Sequence, residues 1–215
     1  MSRREELAER LGQVQSKITR PDVTLIVVTK TYPVSDVQIL HDLGVRNFGE
    51  NRNEEGLEKS AAIDATWHFQ GGIQSRKLRD IASWADVIHS IDNLGHLQKL
   101  DSVSEKDIDI FLQLSLDGDP DRGGVIESEL AQLADAALAA EHLRLVGLMC
   151  VPPVKAEPRS AFTEIAAIHR RFIADYPRAT SLSAGMSGDY EIAMDCGATH
   201  IRVGSSILGS REPHE

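Results

Sequence analysis

The apolar run Val23-Thr24-Leu25-Ile26-Val27-Val28-Thr29-Lys30 ends in a lysine, which puts a primary amine at the carboxyl end of a strand. Such an amine condenses with an aldehyde when its surroundings favour the imine and exclude competing water. A strand-terminal lysine is also an ordinary residue where a strand meets solvent, so Lys30 does not identify a reaction by itself. Two downstream turns add to it. Gly185-Met186-Ser187-Gly188-Asp189 and Arg202-Val203-Gly204-Ser205-Ser206 each follow a short strand and are rich in small and hydroxyl residues. Ser187 and Ser205 offer hydroxyl donors, and the backbone N–H groups around Met186, Gly204 and Ser205 can converge on an anion. Glycine and serine also populate turns for steric reasons alone. A lysine at the first strand end and two such turns at the last strand ends point to a phosphorylated aldehyde held as a Schiff base.

Other polar residues leave two readings open. Arg202 lies inside the apolar strand His200-Ile201-Arg202-Val203, where it needs either a salt-bridge partner or a heterocycle nitrogen to donate to. Asn51, in Phe48-Gly49-Glu50-Asn51-Arg52, either projects into the site or caps a helix. His68 and His89 lack HxH or HExxH spacing and read as packed or hydrogen-bonded residues rather than metal ligands. Cys150 and Cys196 show no CxxC spacing and read as reduced thiols.

These residues are spread across regular alternations of strand and helix. An opening helix is marked by Leu7, Leu11, Val14 and Ile18, ahead of a first strand over Thr24 to Thr29. Further strands are expected at Arg46–Gly49, Thr66–Phe69, Val87–Ile91, Ile108–Leu114, Leu145–Met149, Ser181–Ser183 and His200–Val203. Helices are expected between them, including Glu54 to Ala61, Gln74 to Ser83 and one beginning at an Asp92 cap. Another should bury Ile126, Leu130, Leu133, Ala134, Ala137 and Leu138 on one face. Eight such units predict an α/β fold, a single (β/α)₈ TIM-type barrel with an extra N-terminal helix, spanning residues 1–215 as one domain. The loops Asp117 to Gly124 and Val151 to Pro158 would then flank its mouth.

The 33 acidic and 23 basic residues, a formal net charge of −10, argue against a general nucleic-acid binder. Arg76, Lys77 and Arg79 form only a short basic patch, read as a solvated helix face. No apolar stretch reaches membrane-spanning length, and the amino terminus reads as an amphipathic helix rather than a signal peptide. A cytoplasmic monomer without membrane or nucleic-acid partners is the expectation.

Val28-Thr29-Lys30-Thr31-Tyr32-Pro33, Phe48-Gly49-Glu50-Asn51, Trp67-His68-Phe69, Gly147-Leu148-Met149, Gly185-Met186-Ser187-Gly188-Asp189 and Arg202-Val203-Gly204 together resemble the pyridoxal phosphate homeostasis protein family. That family is similar to the barrel domain of bacterial alanine racemases, and the resemblance runs from about residue 2 to Gly209. It implies that Lys30 holds pyridoxal 5′-phosphate (PLP) as a Schiff base, with Met186, Ser187, Gly204 and Ser205 around the phosphate. It also implies Arg202 against the pyridine nitrogen and Asn51 near the cofactor. The sequence departs from the family pattern at Ser205 (usually threonine), Gln70-Gly71-Gly72-Ile73, Asp121-Arg122-Gly123-Gly124 and Leu208.

A guanidinium only donates, so an arginine at the ring nitrogen leaves that nitrogen unprotonated and weakens the ring as an electron sink. The resemblance therefore implies PLP binding and maintenance of intracellular PLP supply, without established turnover. The alternative is a racemase-like PLP enzyme of weak activity, for which Tyr32 is the tyrosine near enough in sequence to Lys30 to test. A Schiff-base aldolase on the same barrel is a third reading, and a carrier handing PLP to apo-enzymes by contact a fourth.

Overall fold

A computed structural model describes residues 1–119 and 121–209. Eight parallel strands close into a barrel in sequence order: β1 (Thr24–Val28), β2 (Asn47–Glu50), β3 (Thr66–Phe69), β4 (Val87–Ile91), β5 (Ile108–Leu114), β6 (Leu143–Cys150), β7 (Ser181–Met186) and β8 (His200–Val203). Closure is made by β1 and β8, which pair from Thr24 with His200 to Val27 with Val203. The (β/α)₈ barrel expected from the alternating pattern is thus the observed fold.

An amino-terminal helix, α1 (Arg3–Gln15), precedes the barrel. Ser2 and Glu5 close a capping box that satisfies its first free amides. Its apolar side, Leu7, Leu11 and Val14, is buried, and Arg3 ties it to the barrel through the Asp36 carboxylate (2.6 Å) and the Leu208 carbonyl (3.1 Å). The remaining helices are α2 (Val34–Asp42), α3 (Asn53–Ala62), α4 (Leu78–Trp84), α5 (Leu94–Val103), α6 (Leu130–Leu138), α7 (Pro158–Asp175), α8 (Tyr190–Asp195) and α9 (Ser205–Leu208).

Side chains alternate across a strand, and that rule sorts the barrel into two layers. Trp67 and Phe69, Ile110 and Leu112, Leu182 and Ala184, and Ile201 and Val203 all join the core between strands and helices. The residues between them, His68, Phe111, Ser183 and Arg202, therefore point into the barrel. Phe111 forms a separate apolar cluster there with Val87 and Met149. The same alternation carries past β1: Val27 joins the outer core, Val28 lines the interior, Thr29 turns outward and Lys30 turns inward.

Three local expectations are corrected. Asn93, not Asp92, caps α5 by accepting from the His96 amide, while Asp92 accepts from the Gly124 amide and pins a mouth loop. Gln74 to Ser83 is not one helix: a 3₁₀ turn at Ser75–Lys77 precedes α4. Ile126 and Leu138 are 44 % and 64 % exposed, so they are not on the buried face of α6. Ile126 precedes the helix, and Leu138 is its last residue, where the stripe has turned away from the barrel.

Candidate functional site

A cavity of about 300 Å³ opens at the carboxyl ends of the strands, at the lower end of the usual range for small-molecule sites. All seven residues singled out from the sequence line it: Lys30, Asn51, Met186, Ser187, Arg202, Gly204 and Ser205. Tyr32, Gln70, Met149 and Val151 are also part of the wall.

Lys30 is held from both sides of its backbone. The Thr29 hydroxyl donates to Glu50 Oε1 (2.5 Å), and the Thr29 carbonyl accepts from Lys59 Nζ (2.8 Å). Thr31 N–H donates to Glu55 Oε2 (2.6 Å), and Lys59 joins Glu50 and Glu55 at 2.6 and 3.0 Å. Thr31 has φ 71°, a left-handed conformation that is strained for a β-branched residue. These bonds offset that strain and aim the intervening lysine inward. Glu50 is fully buried, and burial pushes its carboxyl up despite Lys59 and Thr29.

The turns after β7 and β8 meet at Ser187. Its hydroxyl oxygen accepts from the amides of Gly204 (3.2 Å) and Ser206 (3.3 Å), while Ser206 Oγ donates to the Ser187 carbonyl (3.3 Å). Gly185 enters this turn at φ 93°, and a Cβ there would lie 2.6 Å from that of Ala193, so only glycine fits. The converging hydroxyls and amides are donors of the kind that hold a phosphate. Ser206 was absent from the sequence-based set, although it stands in the same Gly204-Ser205-Ser206 turn.

Arg202 is 5 % exposed and, among the described residues, has no carboxylate within salt-bridge distance. It donates to Ser183 Oγ (2.6 Å) and the Cys150 carbonyl (3.2 Å). Burial lowers its guanidinium to about 10, still a cation at neutral pH. The salt-bridge reading is therefore replaced by hydrogen bonds to neutral oxygens. Asn51 does not cap α3, which begins after Arg52. Asn51 Oδ1 and Gln70 Nε2 are buried at the cavity wall without hydrogen-bond partners among the described residues, an acceptor and a donor left for a ligand.

His68 and His89 are hydrogen-bonded core residues, 2.9 Å apart between Nδ1 and Nε2. Burial lowers His68 to about 3 and His200 to about 4, and holds His89 well below its usual value. Unfolded imidazoles take up protons below about pH 6.5 while these do not. Their contribution to stability is complete above that pH and is lost as pH falls, by roughly 1.4 kcal/mol per imidazole per pH unit. Urea midpoints at pH 7.5 and 5.5 should differ accordingly, and coincident midpoints would show that the imidazoles titrate normally in the fold. Cys150 and Cys196 are free thiols, as expected, and burial pushes Cys150 up to about 12. Among the described residues no group of three or more metal-ligating side chains forms a metal site, and no helix is long and apolar enough to cross a membrane.

Residues 3–212 match the family described as alanine racemase, N-terminal domain. The pyridoxal phosphate homeostasis protein of Corynebacterium glutamicum is 41 % identical over 216 residues, covering 94 % of this chain and 97 % of that protein. Its namesake in Escherichia coli is 32 % identical, covering 96 % and 97 %. Among solved structures, PipY of Synechococcus elongatus with PLP bound superposes with a TM-score of 0.85 at 32 % identity, over 94 % of this chain and all of that one. Alanine racemase of Clostridium difficile shares the barrel, with a TM-score of 0.78 at 14 % identity over 98 % of this chain and 61 % of its own.

Proposed function

The chain belongs to the pyridoxal phosphate homeostasis protein family, and we propose that it binds PLP in the barrel-mouth cavity through Lys30 and regulates the supply of that cofactor. The observation that carries this reading is a single cavity wall joining an inward lysine, a turn of phosphate-type donors and a buried arginine with no carboxylate partner among the described residues. The Ser187 and Ser205 hydroxyls would hold the phosphate, joined by the Gly204 and Ser206 amides where the ligand takes the place of Ser187 Oγ as their acceptor, and the Asn51 and Gln70 atoms would take polar substituents of the ring.

PLP supplies an aldehyde for imine exchange and a heteroaromatic ring whose electron-sink strength depends on protonation of its nitrogen. Arg202 supplies donors only, so it accepts no proton from the ring and gives none up at neutral pH. Lys30 supplies the amine, and the Thr29–Glu50–Lys59–Glu55 cluster keeps it aimed.

The racemase reading is weaker for a geometric reason. Tyr32 is the only tyrosine on the cavity wall among the described residues, and its hydroxyl is committed to the Gly209 carbonyl at 2.8 Å. Tyr176 bonds Asp135 on the outside, and Tyr190 packs under Lys17. An aldolase would need a carboxylate for proton shuttling, and none lines the cavity among the described residues. We further propose a cytoplasmic monomer that hands PLP to apo-enzymes or buffers it; a transfer assay with an apo-enzyme separates those two roles.

The test is a visible absorption spectrum after PLP addition, then borohydride reduction and peptide mass analysis. A yellow protein with pyridoxyl mass on the Lys30 peptide is expected. A protein that stays colourless with added PLP would return Lys30 to the aldolase or structural reading.

A further inference from the structure

A hydrogen-bond chain crosses the barrel interior from Arg202 on β8. Arg202 Nη1 donates to Ser183 Oγ on β7 (2.6 Å), which lies 2.9 Å from His89 Nδ1 on β4. His89 Nε2 lies 2.9 Å from His68 Nδ1 on β3, and His68 Nε2 lies 3.0 Å from Asn47 Oδ1 on β2. His89 and Ser183 are fully buried, and His68 is 2 % exposed. Phe111 stacks on His89 with centroids 4.4 Å apart and planes at 14°, fixing the ring's orientation.

The direction of this chain follows from donor and acceptor capacity. A guanidinium can only donate, so Ser183 Oγ accepts from it; the Asn47 carbonyl oxygen can only accept, so His68 Nε2 must carry a proton, and with both imidazoles neutral Ser183 turns its own proton toward His89 Nδ1. His89 then carries its proton on Nε2 and donates to His68 Nδ1. His68 in turn carries its proton on Nε2 and donates to the Asn47 carbonyl oxygen. This assignment uses every contact with both imidazoles neutral. An added proton on either ring would leave the Ser183 hydroxyl hydrogen without an acceptor in a dry interior. The ionisable groups facing the pair are His200 and Arg202, and both oppose a proton there.

We propose that Ser183, His89, His68 and Asn47 form a one-way hydrogen-bond relay that positions Arg202 and keeps the barrel interior from supplying a proton to a heterocycle bound in the cavity. The heterocycle rests on the PLP reading; the relay does not. His68, His89 and Asn47 are positioning residues. None of them lines the cavity, yet each fixes the orientation of the next group toward Arg202.

The test is long-range ¹H–¹⁵N correlation of histidine-labelled full-length protein without PLP. His68 and His89 should both appear as neutral Nε2–H tautomers at pH 7. Asn47→Leu removes the terminal acceptor and should reverse His89 to the Nδ1–H form, whereas Asn47→Asp should preserve Nε2–H. A purely structural role for Asn47 would leave the His89 tautomer unchanged in both variants. With PLP added, Ser183→Ala should shift the absorption maximum while retaining the pyridoxyl adduct on Lys30. An Nδ1–H or protonated ring in the wild type, or an unmoved His89 tautomer in Asn47→Leu, overturns the relay. An unshifted spectrum in Ser183→Ala overturns its influence on the ligand. Correct tautomers in a protein that takes up no PLP leave the relay standing and sink the cofactor reading.

Discussion

Lys30→Ala is expected to lose the borohydride-stable pyridoxyl adduct completely while still unfolding cooperatively in denaturant. The side chain ends at the cavity rather than in the apolar core, and the bonds that shape its turn belong to Thr29 and Thr31. The replacement leaves the buried core and the bonds of Thr29 and Thr31 in place. The fold should therefore remain, with the Ser187 and Gly204 turn still able to take an anion. The decisive reading is peptide mass after reduction. An adduct that persists in the variant refutes Lys30 as the attachment point. An adduct on the Lys59 peptide would be especially informative, because Lys59 lies behind the same strand end, 2.8 Å from the Thr29 carbonyl.

The architecture was legible because the barrel obeys local rules. Apolar runs of strand length alternate with helical stripes, and period-two alternation along β1 and β8 carries Lys30 and Arg202 to one interior. The site residues were legible for the same reason, since each stands at or beside a strand end. What escaped the sequence depends on partners distant in the chain. Glu55 and Lys59 have helical i, i+4 spacing, which reads as a solvated surface pair. Only the packing of α3 on β1 and β2 turns Lys59 inward to Glu50 and Thr29. His68 and His89 were recognisable as hydrogen-bonded, but their link to Arg202 depends on Ser183, ninety-four residues beyond His89. Asp92 and Asn93 are both good caps in adjacent positions, and the choice falls to Asn93 because Asp92 is taken by the loop amide of Gly124.

The largest stability effect should come from the cluster behind Lys30. Glu50 is 0 % exposed and Lys59 2 %, and Glu50 Oε2 has no hydrogen-bond partner among the described residues, so the carboxylate relies on one oxygen shared by Lys59 and Thr29. Lys59→Met keeps the volume but leaves that carboxyl without its cation, and removing one partner of a buried pair costs about 3–5 kcal/mol. The double variant Glu50→Gln with Lys59→Met should recover much of the loss, since the fully buried carboxylate is removed with its cation. The sign of the pH dependence follows from burial, which already raises the Glu50 carboxyl above its ordinary 4.5. A group raised in the folded state binds its proton there more tightly than in the unfolded chain. Its contribution to stability is fully present below about pH 4.5 and is lost as pH rises through the folded value. Removing Lys59 raises that value further, so the variant should lie nearest the wild type at pH 5 and furthest from it at pH 8. Equilibrium unfolding of both proteins at those two pH values measures this gap. A penalty of equal size at both would mean that the carboxyl is not the origin of the loss, and that Lys59 acts through its bond to the Thr29 carbonyl alone. In either case the strained turn at Thr31 loses a neighbour that orders Glu55. PLP release should then quicken in Lys59→Met, even though Lys59 is not part of the cavity wall.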